Sequence, residues 1–171
     1  MKANEWGYTP EPVTTFGDDR WYNYSVNVDA AFATSQDAES NYVGVGLRYT
    51  LGCNSYSGYW IKLYENGSWE LKANDGTGSI DGFDGTASHN LKVEAVNNVI
   101  RGYIDGNMVA EYTVNEGESL ISAGRASLFS SYNKNSFDNF SAEPVEGNDT
   151  YVTRFDETDS CFTFEGNWEH N

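Results

Sequence analysis

The chain has 171 residues, a length that suits one domain with enough residues to bury a core. Ten lysines and arginines stand against 26 aspartates and glutamates, and the net charge of −16 repels phosphate backbones and anionic membranes but suits a neutral ligand or a divalent cation. Because of this charge we do not expect nucleic acid as a partner. No stretch approaches the roughly 20 apolar residues of a membrane span, so we do not expect insertion into a membrane either.

Alternation of apolar and polar residues with a period of two recurs along the chain, and helical periodicity is nearly absent, which is typical of β-structure. The first such segment is 21–32, and one face of it carries Tyr22, Tyr24, Val26 and Val28. Residues 41–50 form the second segment. Its Gly44 and Gly46 remove side chains from one face, so that either a neighbouring ring or a ligand can approach the backbone.

A predicted hairpin follows at residues 58–72, where Asn66-Gly67 suits a type I′ turn. Residues 74–88 are rich in Gly and Asp and are predicted to form a loop. Residues 89–114 then give a meander of three strands, and residues 118–144 supply two more. A total of about nine short strands, separated by turn residues, predicts an all-β protein built as an antiparallel sandwich or barrel.

The end of the chain follows a different pattern. Residues 1–144 are predicted to form the domain, and residues 145–171 begin as a connection before a new hydrophobic pattern starts. This tail is expected to be a linker followed either by an extra strand of the same domain or by the start of another module. Cys53 and Cys161 either form one disulfide or stay as free thiols, because their pairing depends on geometry that spacing does not give.

Five segments carry a resemblance to a known family. They are GDDRWYNYSVNVDAAF, VGVGLRY, GYWIKLYENGSWEL, HNLKVEAVNNVIRGYIDGNMVAEYT and GRASLFSSYNKNSFDNFSAEP. Their order resembles that of concanavalin A-like jelly rolls of the laminin-G type, and most of all the lectin-like domain of galactocerebrosidases, glycoside hydrolase family 59, over roughly residues 15–143. Such domains usually begin with an extra strand, which residues 1–14 do not plainly provide. Either a tail strand around 161–165 fills that place or the place is open.

This resemblance implies a jelly-roll β-sandwich with one concave sheet and a structural Ca²⁺ near its edge. It places a calcium ligand at Asp138, a residue that the pattern alone explains equally well as part of a turn. Ca²⁺ takes six to eight oxygen ligands, and Asp18 and Asp19, beside Gly17, could face Asp138 from the entry of the first strand. The alternative is that these two adjacent loop acids are simply solvated. The resemblance implies no catalysis, because the catalytic carboxylates of that enzyme family lie on a separate barrel domain.

The sequence itself also argues against an enzyme. Glycosidases built on this fold carry two carboxylates on one strand, and a retaining pair lies about 5 Å apart. No segment of this chain has such a run, and none has the spacing of a zinc site or a nucleophile elbow. We therefore expect the chain to be non-catalytic.

One side of the predicted hairpin is aromatic or charged where a plain surface would carry small polar residues. Such rings stack on the apolar face of a pyranose while polar side chains hold its hydroxyls. The alternative is that these side chains only stabilise the sheet through cross-strand pairs. The predicted ligand-binding residues, drawn from the hairpin, the adjacent strand and a later loop, are Arg48, Trp60, Lys62, Tyr64, Tyr132 and Asn133.

We therefore expect a non-catalytic, lectin-like, carbohydrate-binding module of a secreted bacterial glycoside hydrolase. Its expected partners are a glycan, with galactose-containing glycans as the first choice, and neighbouring domains of the same polypeptide. The alternative is a purely structural accessory domain that packs against a catalytic domain, holds a calcium ion and binds no sugar.

Overall fold

The structure is a computed structural model. It describes residues 12–51, 56–73, 75–116 and 118–146. No helix occurs in these ranges, so none of their segments is a helix able to cross a membrane. The strands are β1 (Val13–Phe16), β2 (Tyr24–Ala31), β3 (Tyr42–Leu51), β4 (Tyr56–Tyr64), β5 (Ser68–Lys72), β6 (Gly76–Ser79), β7 (Ser88–Val96), β8 (Val99–Ile104), β9 (Asn107–Thr113), β10 (Arg125–Ser130) and β11 (Ser136–Pro144).

The strands form two sheets. Sheet A has six strands in the order β1-β10-β3-β4-β5-β6, and sheet B has five in the order β11-β2-β7-β8-β9. Every pair of neighbouring strands is antiparallel. The predicted all-β antiparallel sandwich is therefore confirmed.

The core lies between the two sheets and follows from the alternation along each strand. Every second side chain points inwards, and burial of each stabilises the fold by roughly 1.5–3 kcal/mol. Sheet A contributes Val43, Val45, Leu47, Ile61, Leu63 and Leu71, all fully buried. Sheet B contributes Val26, Val28, Leu91, Val93 and Ile100, also fully buried.

Two strands were not expected from the sequence. β1 begins at Val13 and pairs with β10, so it supplies an opening strand for sheet A. β6 lies inside the segment predicted to be a loop and pairs with β5. Gly78 of β6 faces Trp69 across the strands, and a Cβ there would lie 2.4 Å from the indole ring. The glycine content of this segment therefore serves close strand packing, and the loop prediction was wrong.

The β4–β5 hairpin has a different turn from the predicted one. Three residues separate the strands, and the N–H of Gly67 donates to the carbonyl oxygen of Tyr64 at 2.9 Å. Gly67 has a φ of +84°, but Asn66 is not among the residues with positive φ. This is the pattern of a type I turn followed by a left-handed residue, so the predicted type I′ turn was wrong. Asp105 and Gly106, between β8 and β9, both have positive φ, which is the pattern of a type I′ turn.

Several predictions fall outside the described residues. Cys53, Cys161, the tail strand around 161–165 and the tail beyond residue 146 all lie there. The last described strand, β11, ends at Pro144, where the predicted domain also ends.

Candidate functional site

The outward face of sheet A carries the unusual residues of the hairpin. On β4, Trp60, Lys62 and Tyr64 alternate with the core residues Ile61 and Leu63, as the period of two predicts. Strand registers place the outward side chains in rows across the sheet. One row, from β10 to β6, is Phe129, Gly44, Lys62, Glu70 and Thr77. The next row, from β10 to β5, is Ser127, Gly46, Trp60 and Lys72.

An aromatic cluster occupies the middle of this face. Phe129 lies with its ring centroid 5.4 Å from that of Trp60 and 5.6 Å from that of Tyr49. All three are buried, and Trp60 is 8% exposed. A Cβ at Gly46 would lie 2.8 Å from the Phe129 ring, so the glycine makes room for that ring. Of the two expectations for the glycine-rich strand, the neighbouring ring is the one observed.

Lys62 lies across this cluster and is almost buried. Its Nζ is 4.4 Å from the centroid of Tyr42 and 3.7 Å from Oε1 of Glu70. A Cβ at Gly44 would be 2.9 Å from Cγ of Lys62, so this glycine admits the lysine stem. The stem of the lysine therefore passes over Gly44, and its amine lies over the Tyr42 ring on the side of Glu70.

Beside Trp60 the face opens into a cleft of about 440 Å³ between β4, β5 and β6. At one side of it, Nζ of Lys72 is 2.8 Å from Oδ1 of Asp75. Asp75 has a φ of +58° in the turn between β5 and β6. The cleft is lined by Trp60, Glu70, Leu71, Lys72, Asp75 and Thr77.

The chemistry of the cleft suits a ligand with many hydroxyl groups. Carboxylates of Glu70 and Asp75 accept hydrogen bonds, the Lys72 amine donates them, and the Thr77 hydroxyl does both. The edge of Trp60 adds an apolar contact. A concave site with a few convergent polar groups beside an aromatic ring is the usual form of a small-molecule site.

Two of the predicted binding residues lie on the loop after β10, away from the cleft. Tyr132 is 69% exposed, and Nδ2 of Asn133 donates to Oγ of Ser131 at 3.1 Å. The N–H of Ser131 donates to the carbonyl oxygen of Tyr42, which pairs with Tyr64 at the end of β4. The loop therefore borders the Tyr64 end of the face, whereas the cleft lies on the β5 and β6 side of Trp60.

Arg48 does not lie on this face. Pairing of β3 with β4 shifts register between Leu47 and Thr50, and Arg48 has a φ of +49° at that bulge. The bulge turns its side chain inwards, where it is fully buried. Its guanidinium donates to three carbonyl oxygens, of Tyr22 at 2.9 Å, Asn97 at 2.8 Å and Ile121 at 3.1 Å. The predicted place of Arg48 was therefore wrong, because simple alternation takes no account of a bulge.

The predicted calcium ligands do not form one group. Both carboxylate oxygens of Asp18 accept hydrogen bonds from the Arg20 guanidinium, and these bonds hold the pKa of Asp18 well below its usual range. Asp138 lies on β11 opposite Asp29, and its Oδ1 accepts the N–H of Asn139. Within the described ranges, no three His, Cys, Asp or Glu side chains are placed to hold a metal ion, so Asp18, Asp19 and Asp138 do not fit a shared site.

A second hollow, of about 260 Å³, lies where β2 begins and β11 ends. Among the described residues that line it, Glu143 is the charged one, and the side chain of Asn23 is already bonded to Asn97. It is lined by Trp21, Tyr22, Asn23, Tyr24, Ala142, Glu143 and Pro144. It offers fewer polar groups than the cleft beside Trp60, so we take the cleft as the candidate site.

His89, the one histidine in the described part of the chain, makes structural contacts within the fold. Its Nδ1 is 2.8 Å from Oδ2 of Asp105, and its Nε2 is 2.9 Å from the carbonyl oxygen of Asp84. Its ring stacks on Phe83 with centroids 4.2 Å apart. Both nitrogens are therefore engaged, and His89 is not among the described residues that line the cleft.

Four polar or charged residues of the cleft were not predicted as binding residues. Glu70 and Lys72 flank Leu71, whose inward direction the alternation does indicate, so both were within reach of sequence reasoning. Asp75 and Thr77 were not, because they need β6, and its glycines concealed that strand.

Comparison with known proteins supports the fold. No protein-family model matches the sequence, and no curated protein matches it. A carbohydrate-binding module, CBM66 from Bacillus subtilis, is 15% identical with a TM-score of 0.52, over 72% of this chain and 76% of that one. A Bacillus subtilis protein of unknown function with a galectin-like fold is 8% identical with a TM-score of 0.60, over 82% and 81%.

An enzyme also shares the architecture. A β-glucanase from Bacillus licheniformis is 14% identical with a TM-score of 0.52, over 78% of this chain and 69% of that one. At these identities the likenesses establish the fold alone, and they confirm the predicted jelly-roll sandwich. The closeness to galactocerebrosidases stays a prediction.

Proposed function

We propose that this chain is a lectin-like, carbohydrate-binding domain and that it binds glycan in the cleft beside Trp60. One observation carries the proposal: the outward face of sheet A holds a cleft of about 440 Å³ in which an aromatic edge meets two carboxylates, an amine and a hydroxyl. The carbohydrate-binding module among the structural neighbours supports it by analogy of fold.

Binding follows from the donors and acceptors in the cleft. Glu70 accepts hydrogen bonds from sugar hydroxyls, Lys72 donates to them, and Thr77 completes the polar side. The C–H side of a pyranose packs against the edge of Trp60. Because Trp60 packs against Phe129 in the buried aromatic cluster, its ring is fixed before the ligand arrives, which lowers the entropic cost of binding.

The proposal extends to the wider setting predicted from the sequence. We infer a galactose-containing glycan as the ligand, and a secreted bacterial glycoside hydrolase as the parent protein, whose other domains are the further partners. The support is the sequence resemblance to the lectin-like domain of galactocerebrosidases. A structural Ca²⁺ belongs to the same proposal, and within the described ranges its site would combine fewer than three carboxylates with carbonyl oxygens. Thermal unfolding of chelated protein tests this part of the proposal. Adding 1 mM Ca²⁺ is expected to raise the melting temperature more than NaCl at equal ionic strength does.

A glycan array followed by calorimetric titration tests the function. Wild type is expected to bind at least one neutral oligosaccharide, and Glu70→Gln to bind it roughly tenfold more weakly, because an ionised acceptor is lost. Glu116→Gln is the matched control, since Glu116 is an exposed residue after β9 and the variant changes the net charge equally. Absence of binding to every glycan would instead support the purely structural accessory domain.

Hydrolysis is assayed on the same glycans, because the fold is shared with a glucanase. We expect no release of reducing ends, as the sequence lacks the two-carboxylate run of such enzymes. Turnover that Glu70→Gln abolishes would replace the lectin-like proposal with an enzymatic one.

A further inference from the structure

Lys72, which lines the cleft, and Lys62, which lies beside it, each have a carboxylate partner among the described lining residues. Nζ of Lys62 is 3.7 Å from Glu70, and Nζ of Lys72 is 2.8 Å from Asp75. Two negative charges therefore match the two positive ones, and the chain as a whole carries a formal charge of −16. A ligand that enters the cleft meets no net positive charge there.

The pair between Lys72 and Asp75 depends on the turn after β5. Asp75 has a φ of +58°, a left-handed conformation that Asp and Asn adopt more readily than other residues with a side chain. This turn carries the chain back into β6 and sets the carboxylate of Asp75 beside the amine three residues earlier. Both side chains stay at least half exposed, so the pair lies at the mouth of the cleft rather than beneath it.

An acidic sugar would meet electrostatic repulsion in such a cleft. Its carboxylate could bond to Lys72 only while lying beside the carboxylate of Asp75, and it would also lie close to that of Glu70. Like charges at short range oppose binding, and the acidic surface of the domain adds to this repulsion at low ionic strength. A neutral sugar avoids this repulsion, because its hydroxyls bond to the carboxylates and the amine without separating the pair.

From this arrangement we infer that the cleft selects neutral saccharides and that Asp75 is a specificity-determining residue, which withholds Lys72 from acidic sugars. The inference rests on the proposed glycan-binding function. It adds to that function the class of ligand and the residue that sets it.

Paired oligosaccharides test the inference. The array carries neutral chains and counterparts that differ only by a uronic or sialic acid, and the best-bound neutral chain is titrated beside its acidic counterpart at 20 mM and 300 mM NaCl. Wild type is expected to bind the neutral chain at least tenfold more tightly at low salt, with a smaller ratio at high salt. Asp75→Asn is expected to bind the acidic chain at least threefold more tightly than wild type does.

Further variants separate the charge from the backbone. Asp75→Gly tolerates the same φ and is expected to show the same gain. Because Asp75→Asn creates an Asn-Gly sequence with Gly76 and Asp75→Gly creates one with Asn74, intact-mass measurement checks that neither variant has deamidated. Adding Lys72→Gln to Asp75→Asn is expected to remove the gain. Glu116→Gln has the same effect on net charge but lies away from the cleft, and it is expected to leave the neutral-to-acidic ratio unchanged.

The outcomes distinguish this inference from the proposal beneath it. Preference of wild type for acidic chains would overturn the inference and leave glycan binding standing. An unchanged affinity for acidic chains in both Asp75 variants would overturn the role of Asp75. Failure of wild type to bind any neutral or acidic chain would overturn the proposed function as well.

Discussion

A single buried arginine joins three loops at one end of the sandwich. Arg48 bonds to carbonyl oxygens of Tyr22, Asn97 and Ile121, and its own N–H donates to the hydroxyl of Tyr24 at 2.6 Å. Burial lowers the pKa of its guanidinium, and the carbonyl oxygens offset the cost of burying the charge. Among the described residues, no carboxylate forms an ion pair with it.

Arg48→Met is expected to lower the free energy of unfolding by about 3 kcal/mol, because three carbonyl oxygens around a fully buried side chain lose their donors. Urea unfolding measures this. Arg125→Met, at an exposed arginine of β10, is the control and is expected to change stability by less than about 0.5 kcal/mol. Unchanged stability together with lost glycan binding in the Arg48 variant would contradict its placement inside the fold.

Tyr24 adds a pH dependence to the same region. Its hydroxyl accepts the Arg48 N–H and donates to the carbonyl oxygen of Gly124 at 2.8 Å, and burial raises its pKa well above the usual value near 10. The unfolded chain releases this proton near pH 10 while the folded chain keeps it. Its contribution to stability is therefore complete below pH 10 and falls as the pH rises further, by up to about 1.4 kcal/mol per unit.

Comparing wild type with Tyr24→Phe isolates this effect, since other tyrosines titrate in both proteins. Below pH 9 the variant is expected to be less stable by about 2 kcal/mol, because both hydrogen bonds of the hydroxyl are lost. Between pH 10 and 11 the gap is expected to narrow. A gap that stays constant up to pH 11 would contradict the raised pKa.

At the scale of elements, β6 at the edge of sheet A forms one wall of the cleft. It supplies Thr77, and the turn before it supplies Asp75. Its place beside β5 depends on Gly78, where a Cβ would lie within 2.9 Å of three atoms of the Trp69 ring. The wall of the cleft therefore rests on the packing of one indole against a glycine.

Gly78→Ala is expected to push β6 away from β5, with a cost of about 2 kcal/mol in the free energy of unfolding and a loss of glycan affinity. Chemical denaturation and calorimetric titration measure the two effects. Ser79→Ala, at an exposed position of the same strand, is the matched control and is expected to change neither. Full stability and affinity in the Gly78 variant would contradict the packing described for β6.

The elements also show what the sequence could reveal. Alternation identified the strands that hold Val26, Ile61 and Leu91, because each has one buried face. It misplaced Arg48, since a bulge reverses side-chain direction without leaving a mark in the pattern. It missed β6 because glycines removed the apolar signal there. Trp60 was placed on the correct face, but its packing against Phe129 depends on pairing that spans 69 positions of sequence, beyond any local pattern.

At the scale of the molecule, the charge of −16 acts on stability as well as on ligand choice. Ion pairs such as those of Arg101 with Glu94 and Glu111 relieve it locally on sheet B, but the excess of carboxylates remains. Mutual repulsion destabilises the compact state, and salt screens it.

The melting temperature is therefore expected to rise by a few degrees between 20 mM and 500 mM NaCl, as screening relieves this repulsion. Scanning calorimetry checks this, and binding of a neutral glycan over the same range is expected to vary little. A melting temperature that falls with NaCl would show that favourable ion pairs outweigh the repulsion.

The central claim, that glycan binds in the cleft beside Trp60, is tested most directly by amide chemical-shift mapping. A ¹⁵N-labelled sample is titrated with the best neutral oligosaccharide from the array. The largest shifts are expected at Glu70, Lys72, Asp75 and Thr77 and at the indole N–H of Trp60. Largest shifts around Trp21 and Glu143, in the second hollow, or no shifts at saturating glycan, would contradict the claim.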